Sequence, residues 1–239
     1  MKPLKTIIVL FSMISIAMQP LAVAAERAQP RVEFFQPTIE TRSKQPSKKL
    51  PCLVILHGSG GLDKEGGFFR ELAKSLSQSG RICAVLHYMD STRQSSASQS
   101  DMGKSFGIWS AAIQRSLARL SEDPRVDPKR ISLLGHSLGA QLALDIGSRD
   151  NKILSVVSLS GSLVRPIKQI KKMPPVLIIH GARDSVVPIS KAKEMRNRLK
   201  EIGCQTTEEI FRHSDHSLSG ISFETLTELI AKFLHKIET

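Results

Sequence analysis

Short apolar runs alternate with amphipathic stretches along most of the chain. Seven stretches are strand candidates, and most of them are continuous apolar runs; they cover residues 31–36, 51–57, 82–87, 130–134, 154–160, 176–180 and 206–211. Continuous apolar runs favour parallel strands that are covered on both faces. Between them, apolar residues recur at helical spacing over residues 69–76, 106–120, 138–146, 192–202 and 223–237.

This alternation predicts a single α/β domain over residues 25–239. A helix is needed to return the chain between parallel strands, so we predict one doubly wound, mostly parallel sheet flanked by helices. Two connections are long: residues 89–104 are rich in Ser and Gln, and residues 161–175 are basic. Neither connection is long enough to form a cap domain.

Residues 1–24 have the order of a secretory signal peptide. Two lysines precede an apolar run of 13 residues at positions 6–18, and small residues then lead to a predicted cleavage after Ala24, with a site one residue later as an alternative. An uncleaved membrane anchor is the other interpretation, but a spanning helix needs about 20 apolar residues. We therefore predict export to the periplasm or the medium, with no membrane anchor after cleavage.

The chain carries a net charge of +12, which cleavage of the signal would reduce by the two lysines it contains. The basic residues are dispersed and lack interleaved aromatics, and an exported protein does not ordinarily meet nucleic acid, so we expect no nucleic-acid partner. Four basic side chains share the connection 161–175. If that connection overhangs the active site, they favour an acidic substrate. They are Arg165, Lys168, Lys171 and Lys172.

The cysteines do not suggest a disulfide framework or a zinc site. There are three, Cys52, Cys83 and Cys204, and the first two lie inside predicted strands. An odd number without paired spacing is typical of buried thiols, although one disulfide bridge is the alternative. No set of His, Cys, Asp and Glu has the spacing of metal ligands, so we predict neither a metal nor another cofactor.

The sequence G-H-S-L-G at residues 135–139 follows a predicted strand and precedes a predicted helix. In this context G-x-S-x-G predicts a sharp turn that exposes the hydroxyl of Ser137 as a nucleophile. Glycines two residues to either side allow the backbone to approach its neighbours closely, and the helix N-terminus favours developing negative charge. The alternative is an inert serine in a turn that opens a helix.

A serine nucleophile needs a base and an acid that orients it. Asp184 lies just past the predicted strand 176–180, and His216 lies between the last predicted strand and the last helix. The order Ser137, Asp184, His216 is that of α/β-hydrolases. Two alternatives are open: Asp184 could serve only as a turn or cap residue, and His213 could replace His216 as the base.

Other polar side chains receive structural interpretations. We expect pocket-lining or structural roles for the histidines at predicted strand ends, and solvent-exposed positions for two further residues within helices. The first group is His57, His87, His136 and His180; the second is Asp145 and His235.

Together with H-G-S-G-G at residues 57–61 and H-G-x-x-D-x-x-x-P at residues 180–188, these motifs resemble small bacterial α/β-hydrolases of the dienelactone hydrolase type. The resemblance covers nearly all of residues 51–239. It implies Ser137 as nucleophile, His216 as general base and acid, and Asp184 as the group that orients the imidazole. It also implies an oxyanion hole made by the backbone N–H groups of Ser59 and Leu138. Many dienelactone hydrolases carry a cysteine nucleophile, so Ser137 points to carboxylic esters more broadly.

The predicted function is therefore that of an exported, cofactor-free serine hydrolase acting on a small-molecule ester through an acyl-enzyme. The same elbow and residue order also serve amide and thioester chemistry, so a peptidase or thioesterase is an alternative. A non-catalytic binding protein with a hydrolase fold is another.

Overall fold

The structure, a computed structural model, describes residues 29–38, 49–164 and 169–239. The predicted signal peptide over residues 1–24 lies outside the described residues, as do Arg165 and Lys168 of the basic connection. Within the described ranges, no helix is long and apolar enough to cross a membrane. The signal peptide therefore stays a prediction from sequence.

The strands of the described chain form one seven-stranded sheet with the order β1-β3-β2-β4-β5-β6-β7. Their bounds are β1 (Val32–Phe35), β2 (Leu50–Leu56), β3 (Ile82–Leu86), β4 (Val126–His136), β5 (Ile153–Leu159), β6 (Val176–Gly181) and β7 (Thr206–Phe211). The edge strand β1 runs antiparallel to β3, and the other neighbouring pairs are parallel. The prediction of a single, mostly parallel sheet is confirmed.

Helices cover both faces of this sheet. They are α1 (Gly61–Ser77), α2 (Gln99–Glu122), α3 (Leu138–Gly147), α4 (Ile189–Glu201) and α5 (Phe223–Glu238), with a 3-10 turn at Tyr88–Thr92. Phe69 of α1 and Ile230 of α5 share one apolar layer, whereas Trp109, Leu142 and Met195 of α2, α3 and α4 belong to the other. Helices α1, α2, α4 and α5 bury one apolar face against the sheet, whereas α3 is buried almost all round. Helices on both faces make the fold doubly wound.

The starts of α1, α2 and β4 differ most from the sequence prediction. Helix α1 begins at Gly61 rather than at residue 69, and polar residues conceal the other two starts. Residues 99–104 are the first turns of α2, where Ser98 and Asp101 form a reciprocal capping box: Asp101 N–H donates to Ser98 Oγ and Ser98 N–H to the Asp101 carboxylate. Strand β4 begins at Val126 rather than at residue 130, and its polar first half passes through a register shift against β2. Both segments have the composition of a loop.

Asp145 is buried, so the prediction of a surface position is wrong. Its side chain lies where α3 packs against α2, only 6% of the residue is exposed, and its carboxylate accepts hydrogen bonds from Arg149 and from Ser110 Oγ. A charged group at such a position is stable because its partners replace water.

The three cysteines are free thiols. Leu53 is the register partner of Cys83, and side chains alternate along a strand, so Cys52 and Cys83 lie on opposite faces of the sheet and cannot form a bridge. Burial raises the pKa of the Cys52 thiol to about 12 and raises the pKa of Cys83 as well. Thiols protonated this firmly are poor nucleophiles and act as small apolar side chains.

We expect Arg81→Ala to lower the free energy of unfolding by about 3 kcal/mol, the cost of breaking one buried ion pair. Arg81 is 1% exposed and donates hydrogen bonds to Glu238 at 3.2 and 2.9 Å and to Leu76 O at 3.2 Å, so it ties the end of α5 to α1 and β3. Urea denaturation measures the change.

The control is Lys191→Ala, which removes an exposed pair with Glu194 and should cost less than about 1 kcal/mol. Equal losses from the two variants would mean that the Arg81 pair contributes no more than a surface contact.

Candidate active site

Ser137 occupies a strained turn between β4 and α3. Its backbone has φ 52° and ψ −116°, and its N–H donates to Leu159 O at 2.9 Å. A non-glycine residue in this region costs on the order of 1–3 kcal/mol and persists only where the surroundings hold it. The strand and helix that flank Ser137 therefore keep its hydroxyl raised above the carboxyl end of the sheet.

The two glycines of the motif are required by close backbone approach. A Cβ at Gly135 would overlap the backbone of Gly139, and a Cβ at Gly139 would overlap the carbonyl groups of Leu56 and His57. Helix α3 thus starts in direct contact with the end of β2. No side chain larger than hydrogen fits between them.

Ser137, His216 and Asp184 form one continuous hydrogen-bonded chain. His216 Nε2 lies 2.9 Å from Ser137 Oγ, and His216 Nδ1 lies 2.8 Å from Asp184 Oδ2. An ionised carboxylate can only accept, so Nδ1 carries the proton and Nε2 accepts from the hydroxyl. The geometry therefore places an unprotonated imidazole nitrogen on the Ser137 hydroxyl, which is the tautomer that a general base would require.

Asp184 stabilises the turn of its own loop in addition to its hydrogen bond with His216. Its Oδ1 accepts from Val186 N at 2.9 Å and Val187 N at 2.7 Å, and its side chain is fully buried. A second imidazole lies close to this carboxylate: His180 Nε2 is 3.3 Å from Asp184 Oδ2 and 2.8 Å from Val187 O. These donors compensate the cost of burying the carboxylate.

His213 does not reach the site. It is exposed, and its Nδ1 lies 3.1 Å from the Arg183 guanidinium, whereas His216 lies one turn further along the same loop and faces Ser137. His57 is buried and stacks on Tyr88 with ring centroids 4.3 Å apart, and His87 lies 2.6 Å from Glu33. Both contacts agree with the structural roles expected for these two histidines.

The predicted oxyanion donors lie at the same edge of the sheet. Leu138 is the first residue of α3, and the first N–H groups of a helix have no partner inside it. Ser59 lies in the loop between β2 and α1, and its carbonyl accepts from Ala97 N at 2.8 Å. The N–H groups on either side of Ser59, those of Gly58 and Gly60, both donate to Glu65.

Glu65 is the site residue that the sequence interpretation missed. It belongs to α1, eight positions after His57, and nothing in its local pattern distinguishes it from the other charged residues of that helix. The available signal is the combination of a glycine-rich loop with a carboxylate one turn into the next helix. Such a loop leaves backbone N–H groups that need an acceptor.

A comparison with known protein families identifies the family of this chain. A family model described as phospholipase/carboxylesterase matches residues 84–234, which contain Ser137, Asp184 and His216. The chain belongs to this family of α/β-hydrolases. The expectation of an α/β-hydrolase of the esterase type is thereby confirmed.

Solved structures share the fold of this α/β-hydrolase. Esterase PE8 gives a TM-score of 0.64 at 22% identity, over 87% of this chain and 99% of that one. An esterase from the planctomycete Thermogutta terrifontis gives 0.67 at 17% identity, over 87% and 89%. A candidate dienelactone hydrolase from Klebsiella pneumoniae gives 0.64 at 14% identity, over 87% and 99%. At these identities the likeness concerns the fold alone.

A curated relative is a candidate α/β-hydrolase of Acanthamoeba polyphaga mimivirus, 28% identical over 108 residues. The match takes in 38% of this chain and 41% of the relative, so it spans less than half the length of that protein. It agrees with the family without indicating a substrate.

The basic connection of this hydrolase does not run along the active-site edge for its whole length. It leaves β5 at the carboxyl end, but Lys172 lines a hollow with Asn151 and Lys152, which precede β5 at the opposite edge. The chain must return to that edge to begin β6 at Val176, so Lys172 does not lie over Ser137. Among the described residues, no group of three or more His, Cys, Asp and Glu could hold a metal ion.

We expect Gly139→Ala to prevent folding or to lower the free energy of unfolding by more than about 3 kcal/mol, because overpacking against backbone cannot be relieved by a side-chain rotation. The matched control is Gly107→Ala in α2, where a Cβ meets nothing within 4 Å. There, alanine should stabilise the helix by about 0.5–1 kcal/mol.

The two glycine substitutions are thus predicted to have opposite signs in the same denaturation assay. A Gly139→Ala variant as stable as the wild type would contradict the close approach of α3 to β2.

Proposed function

We propose that this protein is an exported serine hydrolase that cleaves carboxylic esters through an acyl-enzyme on Ser137. The observation that carries the proposal is the Ser137–His216–Asp184 chain, with its 2.9 and 2.8 Å links at the carboxyl edge of the sheet. Membership of the phospholipase/carboxylesterase family supports the ester as the bond that is cleaved. No cofactor is required by this chemistry.

Acylation begins when Ser137 Oγ attacks the ester carbonyl carbon while His216 Nε2 takes the hydroxyl proton. The carbonyl electron pair moves to oxygen, and the oxyanion is stabilised by the N–H groups proposed as donors, those of Ser59 and Leu138. The start of α3 adds a favourable dipole at the same place. The intermediate then collapses, the bond to the alcohol breaks, and His216 returns its proton to the leaving oxygen.

Deacylation repeats these steps with water. His216 takes a proton from water, the resulting hydroxide attacks the acyl carbon, and Ser137 leaves with the proton from His216. Asp184 keeps the imidazole in the required tautomer and stabilises the imidazolium that forms twice in each cycle. Its two backbone N–H donors and its burial hold it in the orientation this task needs.

We expect Ser137→Ala to lower kcat by at least about 10⁴-fold with the fold intact, because the nucleophile is removed without changing any packing contact. Hydrolysis of short-chain aryl esters and labelling by a fluorophosphonate probe measure the loss, and circular dichroism reports the fold.

Ser121→Ala is the matched control, since it removes a serine hydroxyl that donates only to Ala118 O within α2 and lies outside the proposed site. It should stay within about threefold of the wild-type kcat. Unchanged ester turnover in Ser137→Ala would refute the assignment.

The same experiment separates the alternative functions. A peptidase or a thioesterase would also be labelled at Ser137 and would prefer amide or thioester substrates in a matched panel. A non-catalytic binding protein would fold normally and remain unlabelled.

Export is proposed from residues 1–24 alone, on their order of lysines, apolar run and small residues. We expect protein recovered from the periplasm or the medium to begin at Ala25 or one residue later, which N-terminal sequencing measures. Full-length protein beginning at Met1 and retained with the membrane would contradict cleavage. Replacement of both Ala24 and Ala25 by bulky residues should block processing at either site and provides the control.

A further inference from the structure

The loop that is proposed to carry one oxyanion donor is bound by one carboxylate on both sides of Ser59. Glu65 Oε2 accepts from Gly58 N at 2.9 Å, and Glu65 Oε1 accepts from Gly60 N at 3.1 Å, so the two oxygens bind the residues on either side of Ser59. Hydrogen bonds to an ionised acceptor are stronger than neutral ones. A loop this rich in glycine has many accessible conformations, and the carboxylate selects one of them.

Two glycines of this loop, Gly58 and Gly60, lie too close to the Glu65 carboxylate to carry a side chain. A Cβ at Gly60 would overlap Glu65 Oε1, and a Cβ at Gly58 would lie 2.8 Å from Glu65 Oε2 and 2.9 Å from His136 Nδ1. The loop backbone therefore lies directly on two polar side chains. An ordinary residue at either position would displace them.

His136 connects this loop to the loop of the proposed base. Its Nε2 lies 3.1 Å from the backbone carbonyl of His216, and a carbonyl can only accept, so Nε2 carries a proton. Its Nδ1 lies 3.8 Å from Glu65 Oε2, and its ring centroid lies 5.1 Å from that of His216. His136 directly precedes Ser137, so one imidazole contacts the nucleophile's turn, the base loop and the carboxylate.

The charge state of Glu65 agrees with this arrangement. Burial acts to raise the pKa of Glu65, but the nearby imidazole of His136 and the N–H of Gly58 bring its pKa below the ordinary value. Glu65 is therefore ionised at neutral pH and can accept from both N–H groups at once.

We propose that Glu65 and His136 are positioning residues that act as one clamp: Glu65 fixes the loop carrying Ser59, and His136 links that loop to the backbone of His216. The inference rests on the proposed function, because it assigns to the clamp the placing of an oxyanion donor relative to Ser137 and its base. Neither side chain is assigned any contact with the substrate. A merely structural role would give Glu65 an effect on stability and none on the chemical step.

The test is Glu65→Gln, which keeps the shape but replaces one acceptor oxygen with an NH₂ group that faces a backbone N–H. We expect kcat to fall about 10- to 100-fold, up to the loss known for one oxyanion donor, with KM within about threefold. Affinity for an arylboronic acid, which forms a tetrahedral adduct on the serine, should fall by the same factor. Binding of the product carboxylic acid should change little.

Two further variants keep the test decisive. Glu65→Asp reaches only one of the two N–H groups and should give an intermediate loss. Glu71→Gln, an exposed glutamate of the same helix, should match the wild type. Fluorophosphonate titration counts the folded sites, so kcat is expressed per active serine even where a variant folds poorly.

The link through His136 has its own readout. The losses of kcat from Glu65→Gln and His136→Gln should be strongly non-additive, because each variant opens the same clamp. Losses that multiply in the double variant would overturn the coupling.

Wild-type kcat in Glu65→Gln, or a loss of stability with kcat per active serine and boronate affinity unchanged, would overturn the positioning role. A wild-type protein that neither hydrolyses esters nor takes up the probe would instead refute the proposed function, and this outcome is distinguishable from both.

Discussion

The backbone turn at Ser137 is the constraint on which the arrangement of the site depends. Its positive φ costs free energy, and it persists because β4 ends against Leu159 while α3 begins against the carbonyl groups at the end of β2. The same contact that allows only glycine at position 139 brings the loop after β2 beside the nucleophile. The close contact between α3 and the end of β2 therefore sets the distance between Ser137 and the proposed oxyanion donor.

The remaining groups reach the site because parallel strands end at one edge. Ser137, Asp184 and His216 follow β4, β6 and β7. Ser137 and Asp184 could be proposed from sequence because they come after continuous apolar runs, and His216 because it lies between the last strand and the last helix. Strand positions and the identity of these three residues depend on local pattern and chain order. Once the fold class is known, the common edge at which the parallel strands end places the three residues near one another.

Features that depend on the packing around a polar side chain could not be predicted in this way. Glu65 and Asp145 look like surface charges of amphipathic helices. Glu65 finds its donors in the folded glycine loop that precedes α1, and Asp145 finds Arg149 and, where α3 packs on α2, Ser110. The position of Lys172 depends on where a long connection crosses from one edge of the sheet to the other. Composition predicts that such residues are polar, and tertiary structure determines which polar residues are buried.

The two loops beside Ser137 are stabilised by the same physical device. On one side, Asp184 accepts the N–H groups of Val186 and Val187; on the other, Glu65 accepts those of Gly58 and Gly60. A partly or fully buried carboxylate is costly unless donors surround it, so each loop conformation and each carboxylate stabilise the other. His216 links Asp184 to Ser137, and His136 lies between Glu65 and the backbone carbonyl of His216, so both loops and Ser137 belong to one network of polar contacts.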